Sequence, residues 1–205
     1  MQNNLFGIPI YINKIELKKE DIEYLTNQEF ERINENNGYV TKNKYVLNDS
    51  FLTNIKKEIL NHLNKFMYEN LKVNKNFTFK MLNSWSTKHL KNDFSQIHLH
   101  NNCVISGVLY LKVNKNSGNL LFHKNNYWRN IFQKSIDVSF DEYNEINGDY
   151  WYITPTIGNI ILFPSFLEHS TTKNESDEER FCCAFNFHVE GDFGNYLNKL
   201  NIKCY

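Results

Sequence analysis

A chain of 205 residues has room for one hydrophobic core and too little for two, so a single domain is expected. Lys and Arg together number 23, as do Asp and Glu, and the pI is about 7.0, so there is no electrostatic footprint for nucleic acid or an anionic membrane surface. Cys103, Cys182, Cys183 and Cys204 lack CxxC spacing, no apolar run nears the roughly 18–20 residues of a membrane span, and Met1–Gly7 lacks a signal peptide's basic start and apolar run, so a cytoplasmic protein with free thiols is expected.

In chain order, Phe6 to Ile12 reads as a short strand broken by Pro9, which belongs at a sheet edge. Lys18 to Glu35, with Ile22, Leu25, Phe30 and Ile33, predicts an amphipathic helix. A clearer helix is predicted from Asp49 to Leu71. Asn48, Asp49 and Ser50 offer capping side chains, and Leu52, Ile55, Ile59, Leu63, Phe66 and Met67 recur at three and four residues. His62 falls in that pattern and reads as structural or solvent-facing.

The period then shortens to two. Phe77, Phe79, Met81, Asn83 and Trp85 alternate with Thr78, Lys80, Leu82 and Ser84. Further strands are predicted at Ile97 to His100, Val104 to Val113, Asn119 to His123, Tyr150 to Thr154, Asn159 to Phe163 and Phe181 to Val189, punctuated by Gly118, Gly148 and Gly158. Trp128 to Asn147, polar and irregular, reads as an insertion or lid. The expected plan is mostly β with an N-terminal helical layer, a β-sandwich or jelly roll. Residues 1–75 would pack on the sheet, 76–190 would form the β core and 191–205 a C-terminal tail.

Two stretches carry chemistry. In an extended chain residues i and i+2 point the same way, so His98 and His100 would present two imidazoles on one face. Such a pair suits iron, zinc or copper, although an isolated pair at a strand end could equally be surface histidines. In the last long strand Phe181, Cys183, Phe185, Phe187 and Val189 form one face, and Arg180, Cys182, Ala184, Asn186 and His188 the other. An Arg pointing into a cavity needs an anion, because an unpaired buried charge is costly. Asp177 or Glu178 could supply it, and so could a ligand carboxylate held by the guanidinium fork.

The order His98-x-His100, then Ser106-Gly107-Val108-Leu109-Tyr110-Leu111, then Ser117-Gly118-Asn119-Leu120-Leu121-Phe122, then Gly158-Asn159-Ile160-Ile161-Leu162-Phe163-Pro164-Ser165, His169 and Arg180 resembles the iron(II) and 2-oxoglutarate-dependent oxygenases. Within them it looks closest to the prolyl-4-hydroxylase-like branch, in a phage and bacterial subgroup carrying HxH in place of HxD. The resemblance spans Met81 to Val189. It implies a double-stranded β-helix (jelly roll, cupin-like), Fe(II) and 2-oxoglutarate as cofactors with ascorbate as a reductant, and a small-molecule or peptidyl substrate.

Carried over by residue, the resemblance implies His98 as the first metal ligand and His169 as the distal one. Arg180, eleven positions after His169, and Tyr110 would hold the far carboxylate of 2-oxoglutarate. Two positions depart from the pattern. His100 stands where the usual Asp or Glu ligand is found, and three imidazoles leave an Fe(II) site one charge unit more positive. The nearest carboxylates, Asp93 and Glu168, lack the expected spacing, and Glu168 would point to the other face of a strand. Cys182 stands where relatives often carry Ser or Thr and offers only a weak donor, so either looser oxo-acid binding or use of a different acid is implied.

Among the other polar residues, His123 and His188 read as hydrogen-bonded core histidines. Gln96 and Asn186 read as substrate-side or ordinary strand-end residues, and Trp85 as core. The implied function is an Fe(II)- and 2-oxoglutarate-dependent dioxygenase that hydroxylates an unidentified substrate and releases succinate and carbon dioxide. Two alternatives stand beside it: a non-oxygenase metal-binding jelly-roll module that recognises a small acid or sugar, and a three-histidine dioxygenase of the cupin type that needs no 2-oxoglutarate.

Overall fold

The capping run and apolar stripe around residue 50 build the helical layer of the computed structural model, which describes residues 7–124 and 139–204. The Asp49 carboxylate accepts the Phe51 N–H at 2.9 Å, and two short 3-10 turns lead into α2 (Thr53–Asn64). That helix continues as a π-helical turn, Lys65–Asn70, which widens the coil enough for both Phe66 and Met67 to face inward. The whole predicted stripe is buried. His62 is structural: its Nδ1 shares a hydrogen bond of 2.8 Å with the Tyr11 hydroxyl.

The helix expected over residues 18–35 is shorter. α1 (Lys19–Thr26) ends at Asn27, and Phe30–Arg32 form β2, which pairs with β3 (Tyr39–Thr41). The turn between them decides this. The Asn34 side chain accepts the N–H groups of Asn36 and Asn37, and Gly38 sits at φ +71°, so local turn chemistry wins over a weak helical period. The first strand is also displaced: β1 is Tyr11–Lys14, with Pro9 just outside it, and Phe6 of the expected strand lies outside the described residues.

The remaining strands are β4 (Thr78–His89), β5 (Ile105–Lys112), β6 (Leu120–His123), β7 (Tyr150–Ile153), β8 (Asn159–Pro164), β9 (His169–Thr171), β10 (Arg180–Phe193) and β11 (Leu200–Ile202). One sheet runs β1-β8-β5-β10-β4-β3-β2, with β11 added to β10, and a smaller one runs β7-β6-β9. All their pairings are antiparallel. Between the large sheet and the helices lies a core that includes Leu25, Ile59, Leu63, Leu109, Leu162 and Phe185. Between the two sheets lies a second, with Val108, Leu120, Phe122, Ile161 and Phe163. Two facing antiparallel sheets with helices on one outer face make the jelly roll, or double-stranded β-helix. Of the expected insertion at Trp128 to Asn147, residues 128–138 lie outside the described residues.

A bulge in β4 then sets which side chains reach the space between the sheets. Phe187 of β10 faces Met81 and Asn186 faces Asn83, so Leu82 has no partner. Before the bulge Phe79 and Met81 pack on the helical side. Beyond it the faces exchange: Ser84 and Ser86 lie opposite Phe185 and Cys183, and the Ser84 hydroxyl accepts the Leu47 N–H at 2.9 Å. Asn83, Trp85, Thr87 and His89 therefore take the inter-sheet face. Trp85, expected in the core because it shares parity with Phe79 and Met81, instead lines a cavity. Among the described residues, no helix is long and apolar enough to cross a membrane.

Candidate active site

The cavity between the sheets encloses about 510 Å³. His98 and His100 reach it from an irregular crossing between β4 and β5 and not from the regular strand expected there. Backbone pairing still fixes both. His98 and His169 form an antiparallel bridge, exchanging N–H···O bonds of 3.0 and 2.9 Å, and the His100 N–H reaches the Ser165 carbonyl at 3.0 Å. Those backbone bonds, on either side of Leu99, keep both imidazoles at the cavity without a regular ladder.

These three imidazoles converge. Ring centroids lie 5.2 Å apart for His98 and His100, 4.3 Å for His98 and His169, and 5.1 Å for His100 and His169. One nitrogen from each falls within 4.8 Å of the other two. Nδ1 of His98 donates to the Gln96 carbonyl at 2.7 Å and Nδ1 of His169 to the Leu167 carbonyl at 2.9 Å. Those bonds fix the tautomer and leave each Nε2 lone pair free, the outer-shell arrangement of metal-ligating histidines. Burial, then repulsion from His98, holds His100 down at about 4 and His169 at about 3, so both rings are neutral near pH 7, as ligands must be. The donor set thus fits a metal site. His100 also stacks on Trp85, with centroids 5.8 Å apart.

No carboxylate joins the cluster among the described residues. Asp93 is buried elsewhere, pairing with Arg32 at 2.8 Å and accepting the Leu90 N–H at 2.9 Å. Glu168 is likewise outside the cluster. His123 bonds Ser170 Oγ at 2.8 Å, and His188 bonds the Val189 carbonyl at 2.9 Å and lies outside the cavity wall. Gln96 and Asn186 both line the cavity. The Asn186 amide is tied to Asn83 at 2.9 Å and to the Ser106 hydroxyl at 2.8 Å, which in turn bonds Ser165 at 2.9 Å.

Arg180 opens β10 and is 2% exposed. Neither acid considered as its partner reaches it: Asp177 pairs with Lys91 at 2.6 Å and Glu178 with Lys112 at 3.5 Å. Its hydrogen bonds go to neutral acceptors, Nη1 to the Ser117 carbonyl at 3.1 Å and Nη2 to His89 Nδ1 at 2.5 Å and Thr171 Oγ1 at 3.3 Å. Among the described residues no carboxylate neutralises it. Tyr110, 1% exposed on β5, stands opposite Cys182 of β10 in the same wall. Burial pushes the phenol well above its ordinary range, and the Cys182 thiol adds to this, so Tyr110 stays a hydrogen-bond donor. Cys182 Sγ lies 2.8 Å from Thr87 Oγ1, and burial raises that thiol as well. Sequence inspection missed His89, because without the Leu82 bulge its position on β4 has the wrong parity for the cavity.

The family model described as "Putative 2OG-Fe(II) oxygenase" matches residues 83–186, just over half of the chain. The protein is therefore an oxygenase of the 2-oxoglutarate-dependent class. It belongs to the 2OG-Fe(II) oxygenase family, which implies Fe(II) and 2-oxoglutarate. No curated protein matches the sequence. Among solved structures, a 2OG-Fe(II) oxygenase family oxidoreductase from Burkholderia pseudomallei is 10% identical with a TM-score of 0.61, over 87% of this chain and 84% of that one. A prolyl-4-hydroxylase from Pseudomonas putida is 16% identical with a TM-score of 0.53, over 90% and 94%. HygX from Streptomyces hygroscopicus, solved with nickel, 2-oxoglutarate and hygromycin B bound, is 11% identical with a TM-score of 0.57, over 88% and 83%. These likenesses concern the fold.

Proposed function

We propose that the cavity hydroxylates a small-molecule or peptidyl substrate, converting substrate C–H, dioxygen and 2-oxoglutarate into the alcohol, succinate and carbon dioxide. The observation that carries this is the buried Arg180 guanidinium, without a carboxylate partner among the described residues, in the same cavity as three convergent imidazoles. An uncompensated buried charge is tolerated where a ligand of opposite sign is to arrive.

In this assignment His98, His100 and His169 would hold the iron, with the tautomers of His98 and His169 set by the Gln96 and Leu167 carbonyls. Iron with 2-oxoglutarate supplies oxygen activation and the oxidising equivalents, chemistry no side chain can provide. Arg180 binds the far carboxylate of 2-oxoglutarate by charge-assisted hydrogen bonds, and the Tyr110 hydroxyl donates a further one. Cys182 flanks that carboxylate as a weak donor. Val108, Leu120 and Phe163 form apolar wall around the centre and exclude water. Substrate enters past Trp85 and the exposed Ile97 and Leu99. No side chain has to act as a general base.

Succinate formation from 2-oxoglutarate with Fe(II) and oxygen, with ascorbate keeping the iron ferrous, tests the proposal even before the substrate is found, through uncoupled turnover. Succinate above a metal-free control is the expected result. A protein that binds metal yet neither binds 2-oxoglutarate nor forms succinate would favour the non-oxygenase module or the 2-oxoglutarate-independent dioxygenase.

A further inference from the structure

Arg180 is held by groups that leave its charge intact, and one of them is unusual. His89 closes β4 directly opposite Arg180, on the cavity face, and is 2% exposed. A guanidinium can only donate, so the Nδ1 that receives Arg180 Nη2 must carry a lone pair, and the ring proton must sit on Nε2, which lies 3.4 Å from Ser95 Oγ. Burial, with Arg180 beside it, pushes His89 down to about 2, so the ring stays uncharged at any working pH.

The surroundings hold that ring in place. The Asn174 amide donates to the His89 carbonyl at 3.0 Å. Gly38, at φ +71° in the β2–β3 turn, lies so close that a Cβ there would stand 2.5 Å from His89 Cδ2. Ser117, His89 and Thr171 together engage three of the five guanidinium N–H groups and contribute no negative charge.

We infer that His89 is a positioning residue for the co-substrate: it fixes the Arg180 guanidinium through an uncharged acceptor where an acid would have cancelled the charge, reserving that charge and two N–H donors for an incoming carboxylate. The inference rests on the proposed binding of 2-oxoglutarate by Arg180. It makes His89 a determinant of affinity for an anionic co-substrate without contact with the ligand.

The test is 2-oxoglutarate binding to Ni(II)-loaded protein by titration calorimetry, with thermal melts as a check on folding. His89→Asp puts a carboxylate beside Arg180 and is expected to weaken 2-oxoglutarate about 100-fold, the scale of a lost charge-assisted interaction, while Ni(II) affinity is kept. His89→Asn, whose amide oxygen replaces the Nδ1 lone pair, is expected to stay within about threefold of wild type. If the Asp variant does not fold, His89→Leu is compared with His89→Asn, with about tenfold weaker binding expected for Leu. Wild-type affinity in a folded His89→Asp, or equal affinity in the Leu and Asn variants, overturns the inference alone. Absence of 2-oxoglutarate binding to the Ni(II)-loaded wild type overturns the proposed function and this inference with it.

Discussion

Replacing Arg180 with Met separates ligand binding from folding. The guanidinium is 2% exposed and bonded to three neutral acceptors, so the fold bears its desolvation, several kcal/mol for an unneutralised ion. Met removes that cost and fills much of the volume, while leaving His89 Nδ1, Ser117 O and Thr171 Oγ1 short of a donor, at about 1–3 kcal/mol for each that cavity water does not reach. The opposing effects nearly cancel, and unliganded Arg180→Met is expected to melt within about 5 °C of wild type. Binding does not cancel. A ligand at 100 times its Kd stabilises by about 2.7 kcal/mol, and about 2–4 °C per kcal/mol for a domain of this size gives a shift of roughly 5–11 °C for metal-loaded wild type. Weakened about 100-fold in affinity, the variant at the same 2-oxoglutarate concentration gains only about 0.4 kcal/mol, a shift of about 1–2 °C. Anaerobic thermal melts of Ni(II)-loaded protein with and without 2-oxoglutarate read both effects. A variant that keeps the full ligand shift, or one that loses more than about 10 °C without ligand, would refute the reasoning.

Other changes probe the remaining parts. His98→Ala and His169→Ala are expected to weaken Ni(II) binding by calorimetry by more than roughly 100-fold, since loss of even an outer-shell partner can cost 10–100-fold. His100→Asp places a carboxylate on a backbone already fixed by the Ser165 carbonyl and is expected to bind Fe(II) at least as tightly as wild type; loss of metal would show that this crossing is spaced for three imidazoles. Gly38→Ala forces a side chain onto φ +71° and against the Lys88 carbonyl 2.7 Å away, so chemical denaturation should show a loss of about 1–3 kcal/mol, together with weaker 2-oxoglutarate binding through His89.

What the sequence disclosed depended on whether a signal was local or was settled by pairing. The stripe from Leu52 to Met67 was readable because six apolar residues at helical spacing have one way to be buried, and the Asp49 side chain caps the 3-10 turn that leads into α2. Strands β5, β6, β7, β8 and β10 were readable from apolar runs, a two-residue period and glycine punctuation, whereas the three-residue β9 and β11, the latter in the stretch expected to be a tail, are too short to leave a period. Residues 27–35 were misread because Phe30 and Ile33 also fit a helical period, whereas the Asn34 and Gly38 turn that makes a hairpin of residues 30–41 gains its strength from pairing with β4. Leu82 is the sharper case. Nothing in the alternation Phe79, Met81, Asn83, Trp85 signals an unpaired residue, yet that bulge moves Trp85 out of the core and brings His89 to the cavity.

The candidate site divides along the same line. His98, His100 and Arg180 could be picked out because parity along a strand is fixed by backbone geometry, and His169 only through the family resemblance, as the distal histidine with Arg180 eleven positions on. What Arg180 touches could not, because β4 and β10 meet in a register that depends on the bulge. The consequence is electrostatic. Within the cavity wall, among the described residues, there is no Asp or Glu, and Arg180 is the one permanent charge. A family member with a carboxylate at the position of His100 would carry one negative charge of its own at the metal; here, under the proposed assignment, all the negative charge must come with the ligands. Metal and oxo acid then each lower the cost of the other's charge in a low-dielectric space, and such coupling is reciprocal by thermodynamic necessity. The neutral imidazole of His89 fits the same logic. An acid in its place would hold Arg180 as well, but would remove the positive charge that, in this chain, the ligand is left to neutralise.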